Sequence, residues 1–161
     1  MLSFVKIMDQ INKVILIIIG LLTGVMAAVI IAQVFSRFVL STSLSWSEEL
    51  ARYLSIYAVF LGAAVALRHQ GLISVEVIHE FIPQALSKWL KIIVNLICIV
   101  FSVVLIFVGM EMIDKVQIQN SPAMQIPMSI PYASIPIGAL LMALNAVVVV
   151  IELFKGGNRN G

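Results

Sequence analysis

The chain has 161 residues, of which 61% are hydrophobic and 11% charged, and its mean hydropathy is +1.11. A soluble domain of this size carries about twice that charged fraction, so the composition excludes an ordinary soluble fold and points to an integral membrane protein. The net charge is +2 with the ten Lys and Arg scattered, which excludes a nucleic-acid-binding patch, and the single Cys98 excludes an intrachain disulfide or a cysteine metal cluster.

Val14 to Ser36 carries no charge. It exceeds the roughly 20 apolar residues needed to cross a bilayer and predicts a first span over about 14–36. Lys6 and Lys13 precede it, as they would in a signal peptide. The apolar run is longer than a typical signal h-region and no small-residue cleavage site with a polar mature start follows, so the expectation is an uncleaved span. A second span is predicted over about 46–67. Its uncharged part, Tyr53 to Leu67, is short, but Ser45-Trp46-Ser47-Glu48 fits a capping box that would start the helix earlier. Glu48 and Glu49 then lie in the first turn, where the helix dipole favours carboxylates.

Between about 70 and 82, Leu72, Ile73, Val77, Ile78 and Phe81 alternate with Ser74, Glu76, His79 and Glu80, and Pro83 follows. This pattern predicts a short amphipathic helix lying at the membrane interface. A third span is predicted over about 92–110, flanked by Lys88 and Lys91. Glu111 to Lys115 is polar, and Pro122, Pro127, Pro131 and Pro136 predict an extended or interrupted lead-in to a fourth span over about 135–151. The expected architecture is an all-α membrane domain over 1–161, with four transmembrane helices and one interfacial helix. Of the ten Lys and Arg, seven (Lys6, Lys13, Arg68, Lys88, Lys91, Lys155, Arg159) fall on one side and three (Arg37, Arg52, Lys115) on the other. The positive-inside rule therefore places both termini in the cytoplasm.

No catalytic, cofactor or metal site is expected. The carboxylates lie near predicted span ends, whereas ion-coupled carriers place ionisable groups at mid-membrane. His69 and His79 lie between spans, which disfavours haem ligation. Gln33, Asn95 and Asn145 are polar residues within spans, most simply read as interhelical hydrogen-bonding groups. Gly20 and Gly24 form a GxxxG, and Ala58, Gly62 and Ala66 a longer small-residue line. Such faces allow close helix approach, within this chain or against another. Trp46, Glu48, Glu49 and Arg52, with Arg37 at the end of the first span, form the densest polar feature. Glu48 and Arg52 are one turn apart and suit an ion pair. Glu49, about 100° around the helix, is expected to face a partner.

Three segments resemble the small membrane subunit, the DctQ type, of TRAP (tripartite ATP-independent periplasmic) transporters. The first runs from Gln33 through Arg37 to Trp46-Ser-Glu48-Glu49-Leu-Ala-Arg52-Tyr53. The second is Leu67-Arg68-His69-Gln70-Gly71-Leu72-Ile73-Ser74-Val75-Glu76. The third is Ser121 to Gly138, with Pro127, Pro131, Tyr132 and Ile135-Pro136-Ile137-Gly138. The family often has a His after the Gly of the second segment, where this chain has Leu72, which weakens any imidazole role there. The resemblance implies an accessory scaffold subunit in the bacterial inner membrane. Its partners would be a large multi-span permease carrying the solute and sodium sites, a periplasmic solute-binding protein, and lipid. The imported solute would bear a carboxylate, of the C4-dicarboxylate or sialic acid type. The rival readings are a free-standing four-helix transporter or channel and a membrane anchor of a redox complex.

Overall fold

A computed structural model describes residues 2–42, 44–69 and 84–154. Within them lie five helices: α1 Leu2–Val39, α2 Ser45–Arg68, α3 Gln84–Val116, the single turn α4 Ser129–Tyr132, and α5 Ser134–Phe154. Four stretches are long and apolar enough to cross a membrane, Phe4–Val39, Ser45–Arg68, Lys88–Val116 and Ser129–Phe154. Each predicted span falls inside one of them. The expected interfacial helix at 70–82 and the carboxyl tail after Phe154 lie outside the described residues.

The helices outrun the charge-free segments that announce them. α1 has 38 residues and α3 has 33. At 1.5 Å per residue they are about 57 and 50 Å long, against a hydrocarbon core of about 30 Å. Lys6, Asp9, Asn12 and Lys13 therefore belong to α1 itself. Before α5, the prolines work by position. Pro131 and Pro136 are each the third residue of their helix, where the missing N–H has no intrahelical partner to lose. The Ser134 hydroxyl donates to Pro131 O at 2.6 Å and ties α4 to α5.

The spans pack in the order α1–α2–α5–α3. α1 lies on α2, α2 on α5, and α5 on α3; α1 touches α5 lightly, and among the described residues α3 touches neither α1 nor α2. The result is a row of helices rather than a closed bundle. Ile15, Leu61 and Val65 form a buried cluster, flanked by Ile19, Leu22 and Leu141.

The glycines that hold the row together are not those of the small-residue lines. A Cβ on Gly138 would lie 2.6 Å from Phe60 Cβ, and one on Gly109 would lie 2.9 Å from Pro136 Cδ. These two positions let α5 approach α2 and α3 at backbone distance. A Cβ on Gly20, Gly24 or Gly62 would meet nothing within 4 Å, and Ala66 is exposed with Ala58 half-buried. The GxxxG of α1 and the Ala58/Gly62/Ala66 line are thus not glycine contacts within this chain. Four-residue spacing marks a face but not the neighbour it meets.

Candidate functional site

Polar side chains gather at the two ends of the row. At the Ser45 end, α2 begins after Leu44 with no side-chain cap. The expected Ser45–Glu48 capping box does not form. Instead the Ser47 hydroxyl donates back to Leu44 O at 2.6 Å. This satisfies the hydroxyl but leaves the first helical amides to other partners. Glu48 and Arg52 pair at 3.4 Å, with side chains 70% and 66% exposed, so the pair contributes about 0.3–0.5 kcal/mol.

Glu49 has the opposite environment. It is 8% exposed. Its Oε2 accepts the backbone amides of Ala123 at 2.9 Å and Met124 at 3.0 Å, and its Oε1 accepts the Tyr53 hydroxyl. The expected orientation toward a partner is therefore corrected: Glu49 grips its own chain 74 residues away. The gripped loop also carries hydrogen bonds of its own. Ser121 N donates to Ile126 O at 2.8 Å, Gln125 adopts a left-handed backbone with φ 55°, and Asn120 pairs with Pro127. That turn aims two successive N–H groups at one point, and the carboxylate fills it. One turn further along α2, the Tyr57 hydroxyl donates to Ile130 O at 2.6 Å. Trp46 is 44% exposed, and Arg37, in the last turn of α1, is exposed.

At the Arg68 end three helices meet in one ion cluster. Arg68 is 7% exposed; its Nη1 and Nη2 donate to Glu152 Oε2 and Oε1 at 2.7 and 2.9 Å, and its Nε donates to Asp9 Oδ1 at 3.0 Å. This is a two-pronged carboxylate contact on α5 with a second carboxylate from α1. Deeper in the same seam, Asn12 and Asn145 exchange amide hydrogen bonds of 2.8 and 2.9 Å, and Asn145 also donates to Ala64 O at 2.7 Å. Asn145 is fully buried and donates across to α1 and α2. Asn95 instead donates to Lys91 O of its own helix.

Asp9, Asn12, Arg68 and Glu152 escaped the sequence reading as a set. Asp9 and Asn12 precede the charge-free run, and Arg68 and Glu152 read as span-end charges. A signal did exist: Met8, Asn12, Ile15, Ile19 and Leu22 recur at spacings of four and three, one face of a helix that begins well before residue 14.

No buried side-chain nitrogen or oxygen among the described residues lacks a partner. The polar groups are spent on holding helices and a loop in place, an arrangement suited to positioning and binding.

Residues 26–156 match the family described as tripartite ATP-independent periplasmic transporters, DctQ component. The sialic acid TRAP transporter permease protein SiaT of Haemophilus influenzae is 29% identical over 150 residues, 93% of this chain and 24% of that protein. The isethionate TRAP transporter permease protein DctMQ of Oleidesulfovibrio alaskensis is 31% identical over 102 residues, 62% of this chain and 16% of that protein. The ectoine TRAP transporter small permease protein TeaB of Halomonas elongata is 29% identical over 146 residues, 88% of this chain and 75% of that protein. This chain thus spans a quarter or less of the first two relatives and three quarters of the third. The match over most of its length, with the four apolar helices, makes it a multi-pass protein of the bacterial inner membrane that belongs to the DctQ component family of TRAP transporters.

Proposed function

We propose that this chain serves as the small permease subunit that braces a large multi-span permease in a binding-protein-dependent, sodium-coupled importer. The solute is a carboxylate-bearing molecule of the C4-dicarboxylate or sialic acid type, captured by a periplasmic binding protein. The large subunit carries the solute and sodium sites; this chain carries no cofactor. Both termini lie in the cytoplasm, which puts the Ser45 end at the periplasmic face. There Trp46, Arg37 and the loop held by Glu49 form the edge offered to the partners.

The observation that carries this reading is the open row α1–α2–α5–α3. A solute path through one chain needs helices that surround it, and a row one helix thick surrounds nothing. The polar side chains buried in the row add support, because Asn12, Asn145 and Ser102 are bonded to each other or to backbone and no buried side-chain nitrogen or oxygen among the described residues is left for water. The names of relatives that pair transport of sialic acid, ectoine or isethionate with permease proteins fit the same role.

Reconstitution tests it. Proteoliposomes holding this chain alone are expected to take up no solute with or without a sodium gradient, and uptake is expected once the large subunit and the loaded binding protein are added. Sodium-driven uptake by the chain alone overturns the scaffold reading. Impermeant thiol labelling of cysteines placed after Phe154 is expected to fail in intact cells, and labelling from the periplasm overturns the topology.

A further inference from the structure

One face of α2 borders a trough at the Ser45 end. Ser45, Glu49, Arg52, Tyr53 and Ile56 follow each other along that face, and Tyr132 and Ile135 of the α4–α5 corner form the opposite wall. The trough holds about 640 Å³, within the range of about 300–1,000 Å³ typical of small-molecule sites. From Ser45 to Ile56 it runs about 16 Å along the helix, at 1.5 Å per residue. That direction is the membrane normal, because α2 is a span.

Polarity changes along the trough. The mouth carries Glu48 and Arg52, of opposite charge and both mostly exposed. Tyr53 lies beside Arg52 on α2, Ile56 stands one turn further from Ser45, and Tyr132 and Ile135 line the facing side. A protein partner does not require this order, and a small polar solute would find no use for the inner end. An amphiphile aligned with the bilayer matches it at every level. The mouth presents a cation and an anion one helical turn apart, which complements a headgroup carrying both a phosphodiester and an ammonium group. Guanidinium binds phosphate in a two-pronged fashion, and a carboxylate accepts from a primary ammonium. The Glu48–Arg52 contact is long and exposed, so both groups are available to exchange partners.

We propose that this trough holds one zwitterionic aminophospholipid, with its phosphodiester on Arg52, its ammonium on Glu48 and an acyl chain against Ile56 and Ile135. The lipid belongs to the leaflet at the Ser45 end, the periplasmic leaflet in the topology proposed above. It fills the seam between α2 and the loop side of α5. The proposal stands on the trough and the membrane placement of α2, and does not depend on which solute is carried.

Native mass spectrometry of the full chain in mild detergent, titrated with phosphatidylethanolamine or phosphatidylglycerol, tests it. One retained phosphatidylethanolamine is expected, held about tenfold more tightly than phosphatidylglycerol, which lacks the ammonium. The double variant E48Q/R52Q is expected to lose that preference, while Lys115→Gln, at the same membrane face but outside the trough, keeps it. Equal retention of the two lipids by the wild-type chain, or an unchanged preference in E48Q/R52Q, overturns the proposal. Should the double variant fail to fold, a photoreactive residue at Ile56 in the membranes of producing cells gives a second readout. A phospholipid adduct is the expected product. An adduct to another protein shows the trough to be a subunit interface and refutes the lipid, while leaving the scaffold role intact.

Discussion

Replacing Glu49 with glutamine keeps the shape of the side chain and removes the charge that two backbone amides share. Hydrogen bonds to charged groups contribute about 1.5–3 kcal/mol each, and the amide retains an oxygen that can still accept. The weakened contacts are expected to show as a roughly five- to thirtyfold rise in hydrogen exchange at the Ala123 and Met124 amides. Uptake by the assembled transporter is expected to fall most at low binding-protein concentration, because the loop loses its shape at the edge proposed to meet partners. Glu48→Gln, which breaks only an exposed pair, is expected to change stability by no more than about 0.5 kcal/mol. Unchanged exchange at Ala123 and Met124 in Glu49→Gln would show that the carboxylate does not hold the loop. The asymmetry between the two glutamates was half visible in the sequence. A 100° step around a helix says that neighbours face different ways, but not which way is inward.

Arg68 is the converse case, a buried cation whose loss takes a guanidinium away from two carboxylates. Removing one partner of a buried ion pair typically destabilises by about 3–5 kcal/mol. Asp9 and Glu152 are 34% and 22% exposed, so water recovers part of this, and about 2–4 kcal/mol is expected for Arg68→Ala. Thermal unfolding in detergent measures it. Restoring neutrality by adding D9N and E152Q is expected to recover more than half of the loss. If the triple variant is no more stable than Arg68→Ala, packing of the guanidinium rather than charge accounts for the effect.

At the scale of elements, the glycines give the sharpest contrast. Gly138→Ala drives a methyl into Phe60, where the nearest atoms include backbone, and is expected to cost about 1–3 kcal/mol by overpacking. Gly109→Ala meets Pro136 in the same manner. Gly20→Ala and Gly24→Ala meet nothing in the chain and gain helix propensity of up to about 1 kcal/mol each, so the isolated chain is expected to be as stable or more so. Assembly with a large subunit that packs on the α1 face would fall in those two variants alone. Co-purification yield separates the two effects.

The same contrast marks what the sequence disclosed. Three of the four spans were legible because long charge-free runs have no other explanation at this composition, and the second, whose charge-free run is short, was legible from the helix start at Ser45. The start of α1 was not, because Lys6, Asp9 and Lys13 interrupt hydropathy without interrupting helix formation. The capping box at Ser45 was a correct pattern in the wrong setting. The Ser47 hydroxyl turned back on Leu44, and Glu49 rather than Glu48 was drawn inward by the amides of a loop more than seventy residues away. Long-range partners of that kind leave no local trace, and the same holds for Arg68 with Asp9 and Glu152.

For the whole molecule, a row of helices exposes two broad apolar faces. Ile31, Val59, Phe107 and Phe38 are 69%, 67%, 72% and 79% exposed, values that fit lipid or a partner subunit and exclude a water-facing surface of this extent. Stability in such a row comes from successive pairs, so damage at one seam is expected to loosen one helix rather than collapse the whole. α1, which is held mainly by α2, is the helix most easily lost. Limited proteolysis of the Arg68→Ala variant is expected to release an amino-terminal fragment containing α1 before any cut within α5, and simultaneous cleavage throughout would contradict a pairwise row.

The Asn12–Asn145 exchange joins residues 133 positions apart, and this separation becomes a delay during synthesis. At about 5–20 residues per second, a ribosome needs roughly 7–27 s to reach the second asparagine after the first. Throughout that interval α1 sits in the bilayer with an amide that has no interhelical partner, near a carboxylate whose cation has Glu152 still to come. The nascent chain is therefore a marked intermediate, recognisable to membrane proteases until its last helix arrives. Chains stopped before Asn145 are expected to turn over several-fold faster in a pulse-chase than full chains, and an Asn12→Leu change, which removes the mark, is expected to slow the turnover of the stopped chains while weakening the finished protein.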